Sequence, residues 1–341
     1  MIMKLAVIGL GFGKKHARSI LSEAVNAELV AVADIDNKQS IWGKEWNVPF
    51  YQDYKEMIRK QRPDGVIVAV PPHMHSEVGI ECACLGVHLF IEKPITNTIE
   101  EADELLQEVE RNNVQLLIGH NQRFDPSVEK AKEHFLSEQL VGFHVFSVLS
   151  KAPSYFSQDW RKKREFGGGP LVSNGIHDID RIRYICGDIK RVTASKANKV
   201  RGYEVEDTVA VSIECANGAV GTLYLSDCSH PIMDYTDYYF GTDSSIMFDC
   251  PTMYGIEGRH RFQKVEWEDI EKSHPERKKI VEGVEFPLVD THCQEIEHFC
   301  KVIQGLEQPK TPGEDAKKTL TMLLAIIQSA DTNKPVDICN E

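Results

Sequence analysis

Short, nearly continuous apolar runs alternate with stretches of helical spacing over the first third of the chain. Leu5–Ile8, Glu28–Ala33, Val66–Val70, Val87–Ile91 and Val114–Ile118 predict strands. Between them Lys14–Glu23, Asp53–Lys60, Ser76–Leu85 and Ile99–Asn112 predict helices; in the last, Ala102, Leu105, Leu106 and Val109 share a face. Strands that are apolar on both faces and separated by helices predict a parallel sheet covered on both sides, joined by right-handed crossovers.

The pattern changes after Arg123. Ser127–Phe135 predicts a helix. Phe143–Leu149, Val209–Glu214, Ala219–Ser226, Tyr238–Phe240 and Ser245–Asp249 then alternate with a period of two, as antiparallel strands do. Asn217-Gly218 marks a hairpin. Gly167–Cys186 predicts a glycine turn feeding a helix, and His292–Gln304 and Glu314–Ala330 predict closing helices. Residues 251–285 are charged without a clear period and are expected to form a strand–loop excursion. A boundary near residues 120–125 divides the chain into a dinucleotide-binding domain of residues 1–122 and an α+β domain of residues 123–341.

Composition narrows the classes. With 341 residues there is material for two cores, and 39 basic against 52 acidic residues give a formal charge of −13. That balance argues against nucleic acid or an anionic membrane as the main partner. No apolar stretch approaches the length of a spanning helix, and the N-terminal run leads directly into the first glycine turn, so neither a membrane span nor a signal peptide is expected. Nine scattered cysteines without CxxC pairs predict reduced thiols, a cytoplasmic location and no structural metal. The sequence lacks GxSxG, HExxH and the P-loop motif, so serine hydrolases, zincins and P-loop NTPases have no support.

The candidate chemistry lies where the predicted strands end. Gly9, Leu10, Gly11, Phe12 and Gly13 follow the first strand and open a helix, the context in which glycines cradle a pyrophosphate. Lys14 occupies the third glycine position of G-x-G-x-x-G; either the turn is one residue shorter, or Gly13 takes over the close helix–strand contact. Asp34 ends the second strand, where an acid binds the adenosine ribose and repels a 2′-phosphate. This favours NAD over NADP. The competing reading of Asp34 is a cap for the next helix. Glu92, Lys93 and Pro94 follow the apolar run from Gly86 to Ile91, so Lys93 would point into the ligand crevice of an open α/β sheet.

Taken together, these residues resemble the Gfo/Idh/MocA oxidoreductases (glucose–fructose oxidoreductase, inositol dehydrogenase, rhizopine catabolism) over nearly the whole chain. The resemblance rests on Gly9–His16, the loop Val70–Glu77 containing Pro71 and His75, the Glu92-Lys93-Pro94 triplet, Gly119–Pro126, Gly167–Asp180, Thr311–Ala316 and Ser329–Val336. It implies an N-terminal Rossmann domain with a doubly wound parallel sheet. It also implies a C-terminal α+β domain on a large, mostly antiparallel open sheet that often forms homodimers or homotetramers. The implied activity is transfer of hydride between nicotinamide and a secondary alcohol of a sugar, inositol or related small molecule. Lys93 and His177 would carry the proton chemistry, with Val70, Pro71, His75, Glu92 and Asn121 beside the cofactor. Arg123, Trp160, Arg161, Ser173, Asn174 and Asp180 would border the substrate.

One departure stands out. Many relatives carry an aspartate four residues before the histidine, where this chain has Ser173, which cannot supply a negative charge. Asp178 is adjacent to His177 and points elsewhere on a helix, whereas Asp180 shares its face. The departure keeps two other classes open: a non-catalytic NAD-bound sensor, and a glycosidase-like relative that uses NAD without net redox change. Bland readings compete at single positions. For Arg123 the alternative is an interdomain salt bridge. For the basic run from Arg161 to Arg164, which could instead recognise an acidic sugar, sugar phosphate or sugar nucleotide, it is a solvated face. For His73 and His75 a metal role lacks a partner at convincing spacing.

Overall fold

A computed structural model describes residues 2–22, 26–229, 234–249, 260–267, 278–286 and 289–338. Residues 251–259 and 268–277 of the charged stretch lie outside these. The chain divides into two compact units, one of Met1–Phe124, Glu165–Gly167 and Asp290–Leu320, the other of Asp125–Arg164, Gly168–Val289 and Thr321–Glu341.

The first unit runs β1 (Met3–Ile8), α1 (Gly13–Ile20), β2 (Ala27–Ala33), α2 (Ser40–Glu45), β3 (Phe50–Tyr51), α3 (Tyr54–Gln61), β4 (Gly65–Val68), α4 (His75–Cys84), β5 (His88–Glu92), α5 (Ile99–Arg111) and β6 (Leu116–Gly119). Its six strands are all parallel in the order β3-β2-β1-β4-β5-β6, the dinucleotide-binding order. All residues of β4 and β6 are buried, because a sheet covered on both faces has no solvent side. Thr98 and Glu101 start α5 with a reciprocal capping box. The register sets Ile8 beside Ala33 on one side and Val68 on the other, so the chain leaves β1, β2 and β4 at adjacent points. The order reverses between β1 and β4, and that is where such sheets bind ligands.

The second unit holds α6 (Pro126–His134), β7 (Leu140–Val148), α7 (Ile176–Cys186), β8 (Ile189–Ala197), β9 (Thr208–Cys215), β10 (Val220–Ser226), β11 (Asp234–Gly241), β12 (Ser244–Asp249), β13 (His260–Trp267) and β14 (Lys278–Phe286). The chain closes with α8 (Thr291–Ile303), α9 (Gly313–Thr332) and β15 (Val336–Asp337). Nine strands form one sheet in the order β14-β13-β12-β11-β7-β10-β9-β8-β15. Its pairs are antiparallel except β7 with β10, so the sheet is mixed but mostly antiparallel. Gly218, at φ 90°, closes the expected β9–β10 hairpin.

Three features differ from the sequence reading. Strand β8 escapes it because Lys190, Arg191 and Lys196 blur its alternation. Two antiparallel strands, β13 and β14, lie within the charged stretch read as a strand–loop excursion. And α8, which follows the second domain in chain order, sits in the core of the first unit, where Ile296 and Phe299 join Val7, Ile67 and Phe90. A Cβ on Gly65 would stand 2.8 Å from Cε1 of Phe299, so the glycine at the start of β4 is what lets α8 approach the sheet.

Candidate functional site: a nucleotide cradle and the residues around it

The cradle begins at Gly9, whose φ of 89° suits only glycine; a Cβ there would lie 2.6 Å from the Ala69 carbonyl oxygen. Its N–H donates to Ala33 O at 2.8 Å, holding the turn against the end of β2. At Gly11 a Cβ would meet nothing within 4 Å, so the backbone stands open for close approach by a ligand. At Gly13, the first residue of α1, a Cβ would lie 2.7 Å from Cγ1 of Val7 and 3.3 Å from Cβ of Ala69. The turn is thus one residue short and Gly13 supplies the close helix–strand contact, which combines the two alternatives left open by Lys14.

Asp34 is not a helix cap. Its Oδ2 accepts from Leu10 N at 2.7 Å and its Oδ1 from Asp36 N at 2.8 Å, while the cap of the following turn is Asp36, which accepts from Lys38 N. The carboxylate therefore stands between the glycine turn and the end of β2, where a ribose acid belongs. Open backbone at Gly11, the amino end of α1 and the Asp34 carboxylate together fit an adenosine pyrophosphate.

Beyond β4, Val70 and Pro71 form the facing edge of the turn. His75 is buried, with Nδ1 2.7 Å from Pro94 O and Nε2 3.0 Å from Val70 O. Burial, outweighing these hydrogen bonds, lowers its basicity. A neutral ring donates to one carbonyl only, and its place between two backbone segments makes it a brace for the loop, not a direct cofactor ligand. The Glu92 carboxylate is also buried: Oε1 is 2.6 Å from Nε2 of His16, and Oε2 accepts from Lys93 N at 3.2 Å. Burial alone would push this carboxyl up, but the bond from His16 and the positive charge of nearby groups, Lys93 among them, bring it to about 2. Glu92 thus fixes the backbone from which the half-buried Lys93 projects.

Asn121 donates through Nδ2 to Thr291 Oγ1 at 2.8 Å and is buried. Arg123 is 3 % exposed, donates to Lys310 O at 3.2 Å and pairs with Asp315. These two partners belong to its own unit.

In the second unit Leu171–Gly175 form a π-helical turn leading into α7, with Ser173 N bonded to Gly169 O at 2.9 Å. Such turns recur at functional sites. Ser173 and His177 are partly accessible, whereas Asn174 and Asp180 are buried. Asp178 also turns inward: its Oδ1 accepts from Arg181 Nη2 at 3.0 Å, and Arg181 forks onto both oxygens of Asp237 at 2.6 and 2.9 Å. Burial first, with Asp237 adding to it against Arg181, pushes the Asp178 carboxyl up to about 6. In the basic run, Arg161 stacks on Tyr155 and Trp160, 3.9 and 4.3 Å from the ring centroids. Arg164 pairs with buried Glu206 at 2.8 Å, and Glu206 also accepts from Leu171 N at 3.3 Å. Glu206 was not legible as a site-shaping residue, since nothing in the sequence links it to a segment some 40 residues earlier.

Comparison with known proteins agrees with this geometry. Residues 3–120 match the model of an oxidoreductase family with an NAD-binding Rossmann fold, and residues 138–338 match that family's C-terminal alpha/beta domain. The myo-inositol 2-dehydrogenase of Thermotoga maritima is 27 % identical over 98 % of both chains. The scyllo-inositol 2-dehydrogenase (NAD(+)) of Bacillus subtilis is 25 % identical over 98 % of this chain and 96 % of its own. Among solved structures, the WlbA dehydrogenase of Bordetella pertussis, in complex with NADH and UDP-GlcNAcA, superposes with a TM-score of 0.84 at 19 % identity, covering 100 % of each chain. On the strength of both domain matches and of the cradle that Gly9–Gly13 and Asp34 build, this chain belongs to the Gfo/Idh/MocA family of NAD-dependent oxidoreductases.

Proposed function

We propose that the protein interconverts a secondary alcohol and a ketone on a polyol, sugar or sugar derivative. The observation that carries this reading is the carboxyl end of β5, where a buried, ionised Glu92 holds the main chain of Lys93 beside a nucleotide cradle. Similarity to two inositol dehydrogenases over almost the full length supports the substrate class. Gly9–Gly13 would hold the pyrophosphate and Asp34 the ribose, and the bound nicotinamide supplies hydride chemistry. Lys93 donates a hydrogen bond to the substrate oxygen and stabilises the developing alkoxide; His177 exchanges the hydroxyl proton. Ser173 can orient a hydroxyl but adds no charge to His177. Arg161, stacked on aromatic rings, remains a candidate for an anionic substituent on the substrate. The family and the named dehydrogenases do not favour a purely regulatory or a redox-neutral role.

The same proposal places the protein in the cytosol as a homo-oligomer. Seven described cysteines are free, as a reducing compartment requires. The outer face of β7, β10 and β11 carries stacked pairs Phe146–Tyr224 and Tyr238–Phe240, with Val220 58 % and Phe240 42 % exposed. Such an aromatic face on a long sheet suits a second copy. No helix among the described residues is long and apolar enough to cross a membrane.

The test is a fluorescence titration with NADH and NADPH followed by an oxidation screen of inositols, sugars and sugar acids. Saturable binding favouring NADH and turnover of one such alcohol is expected, with Lys93→Met losing about 100-fold or more in kcat while binding NADH normally. Full turnover in that variant would remove Lys93 from the chemistry, and a failure to oxidise any secondary alcohol despite NADH binding would overturn the substrate class.

A further inference from the structure

A second group of side chains lies inside the first unit, on the other side of Glu92. His16 of α1 and His292 and Glu295 of α8 each bring one donor atom within 4.8 Å of the others, and all three residues are buried. Phe12 stands edge-on to both imidazoles, at 5.5 and 5.6 Å, and Phe90 meets His16 at 5.2 Å, so aromatic rings line the group. His292 and Glu295 have no role in the proposed oxidoreduction, and His16 enters it only through its bond to Glu92.

Two of the donor groups are incompletely used. The His16 nitrogen 2.6 Å from Glu92 Oε1, Nε2, is engaged by that carboxylate, which leaves Nδ1 as the ring's other ligating atom. That Nδ1 is buried without a hydrogen-bond partner. Glu295 is 1 % exposed; Oε1 accepts from His292 Nδ1 at 3.1 Å, while Oε2 is buried without a partner. A metal-ligating histidine commonly has its second nitrogen held by a carboxylate in this way, as His16 is by Glu92.

We propose that His16, His292 and Glu295 form a buried site for a divalent transition-metal cation of the zinc class, with Glu92 as the outer-shell partner of His16. Two imidazoles and a carboxylate suit such a cation, with water in the fourth position. Metal–donor bonds of about 2.0–2.1 Å in a tetrahedron require donors about 3.3 Å apart, so binding draws the two helices together by small side-chain shifts. The cation's charge balances Glu92 and Glu295 and pins α8 against α1 beneath the glycine turn.

The experiment uses full-length, tag-free protein stripped with a chelator. Calorimetric titration with Zn²⁺ at neutral pH should show one equivalent bound. Co²⁺ should give the visible absorption of a tetrahedral N/O site. His292→Asn and Glu295→Gln should each weaken binding at least tenfold while NADH binding persists, which keeps this test independent of the oxidoreductase reading. Absence of metal uptake by the unsubstituted protein overturns the proposal, whatever the variants do. Uptake unchanged in both variants also overturns it and assigns the metal to surface groups such as exposed Cys84.

Discussion

Leu10 N donates to Asp34 Oδ2 at 2.7 Å, tying the glycine turn after β1 to the last residue before the turn that follows β2. One carboxylate thereby shapes the cradle, and under the proposed function it also binds the ribose. Asp34→Asn exchanges a charge-assisted acceptor for a weaker neutral one and removes the repulsion of a 2′-phosphate. NADH affinity should fall by about tenfold or more, since a hydrogen bond to a charged group is worth about 1.5–3 kcal/mol, and the preference over NADPH should narrow. Parallel titrations with the two nucleotides check this; an unchanged NADH affinity would separate Asp34 from the cofactor.

Gly11 and Gly13 should respond differently to the same added methyl. At Gly11 there is free space, so Gly11→Ala should leave the melting temperature nearly unchanged and weaken NADH binding by crowding the pyrophosphate. At Gly13 the methyl meets Cγ1 of Val7 at 2.7 Å, and a β-branched strand residue has little freedom to move aside. Gly13→Ala should therefore destabilise the fold by about 1–3 kcal/mol, the usual cost of overpacking. Thermal melts of the apo proteins and NADH titrations distinguish the two; equal melting temperatures would contradict the packing role of Gly13.

The buried Asp178 gives the second unit a pH dependence. Its carboxyl moves from 3.8 to about 6 on folding, so the native state holds a proton that the unfolded chain has lost. The group's contribution is fully present below pH 3.8 and disappears as pH rises through about 6. At about 1.4 kcal/mol per pH unit, the ionised form costs about 3 kcal/mol by neutral pH. Asp178→Asn does not titrate. Its stability relative to the unsubstituted protein should rise by up to that amount between pH 4 and pH 7, measured by denaturant unfolding at each pH. A constant difference would show that Asp178 stays ionised beside Arg181.

Tyr238 and Phe240 lie two apart on β11, with their rings stacked at 6.4 Å, and both are at least a third exposed. If the proposed homo-oligomer forms through this face, replacing both by lysine should give a monomer, by light scattering on a sizing column, while the first unit still binds NADH. A protein already monomeric before substitution would remove the assignment of this face.

The sequence by itself determined what depends on local pattern and spacing. Apolar runs alternating with helical stretches specify a parallel sheet because both its faces must be covered. The glycines between β1 and α1, Asp34 at the end of β2 and Lys93 at the end of β5 mark the crevice because strand ends are neighbours in such a sheet. The alternation of β9 and β10 around Asn217-Gly218 likewise gave their antiparallel pairing. Tertiary structure alone decided what depends on contacts far apart in the chain. It assigned α8 to the first unit, committed Arg123 to Asp315, made His75 a brace between two carbonyls, and bonded Glu206 to the π turn before His177. It also gathered His16, Glu92, His292 and Glu295, which are separated by as many as 279 residues, into one buried group. No local periodicity encodes these pairings. They follow from the need to satisfy buried polar atoms once the hydrophobic core has fixed which elements meet.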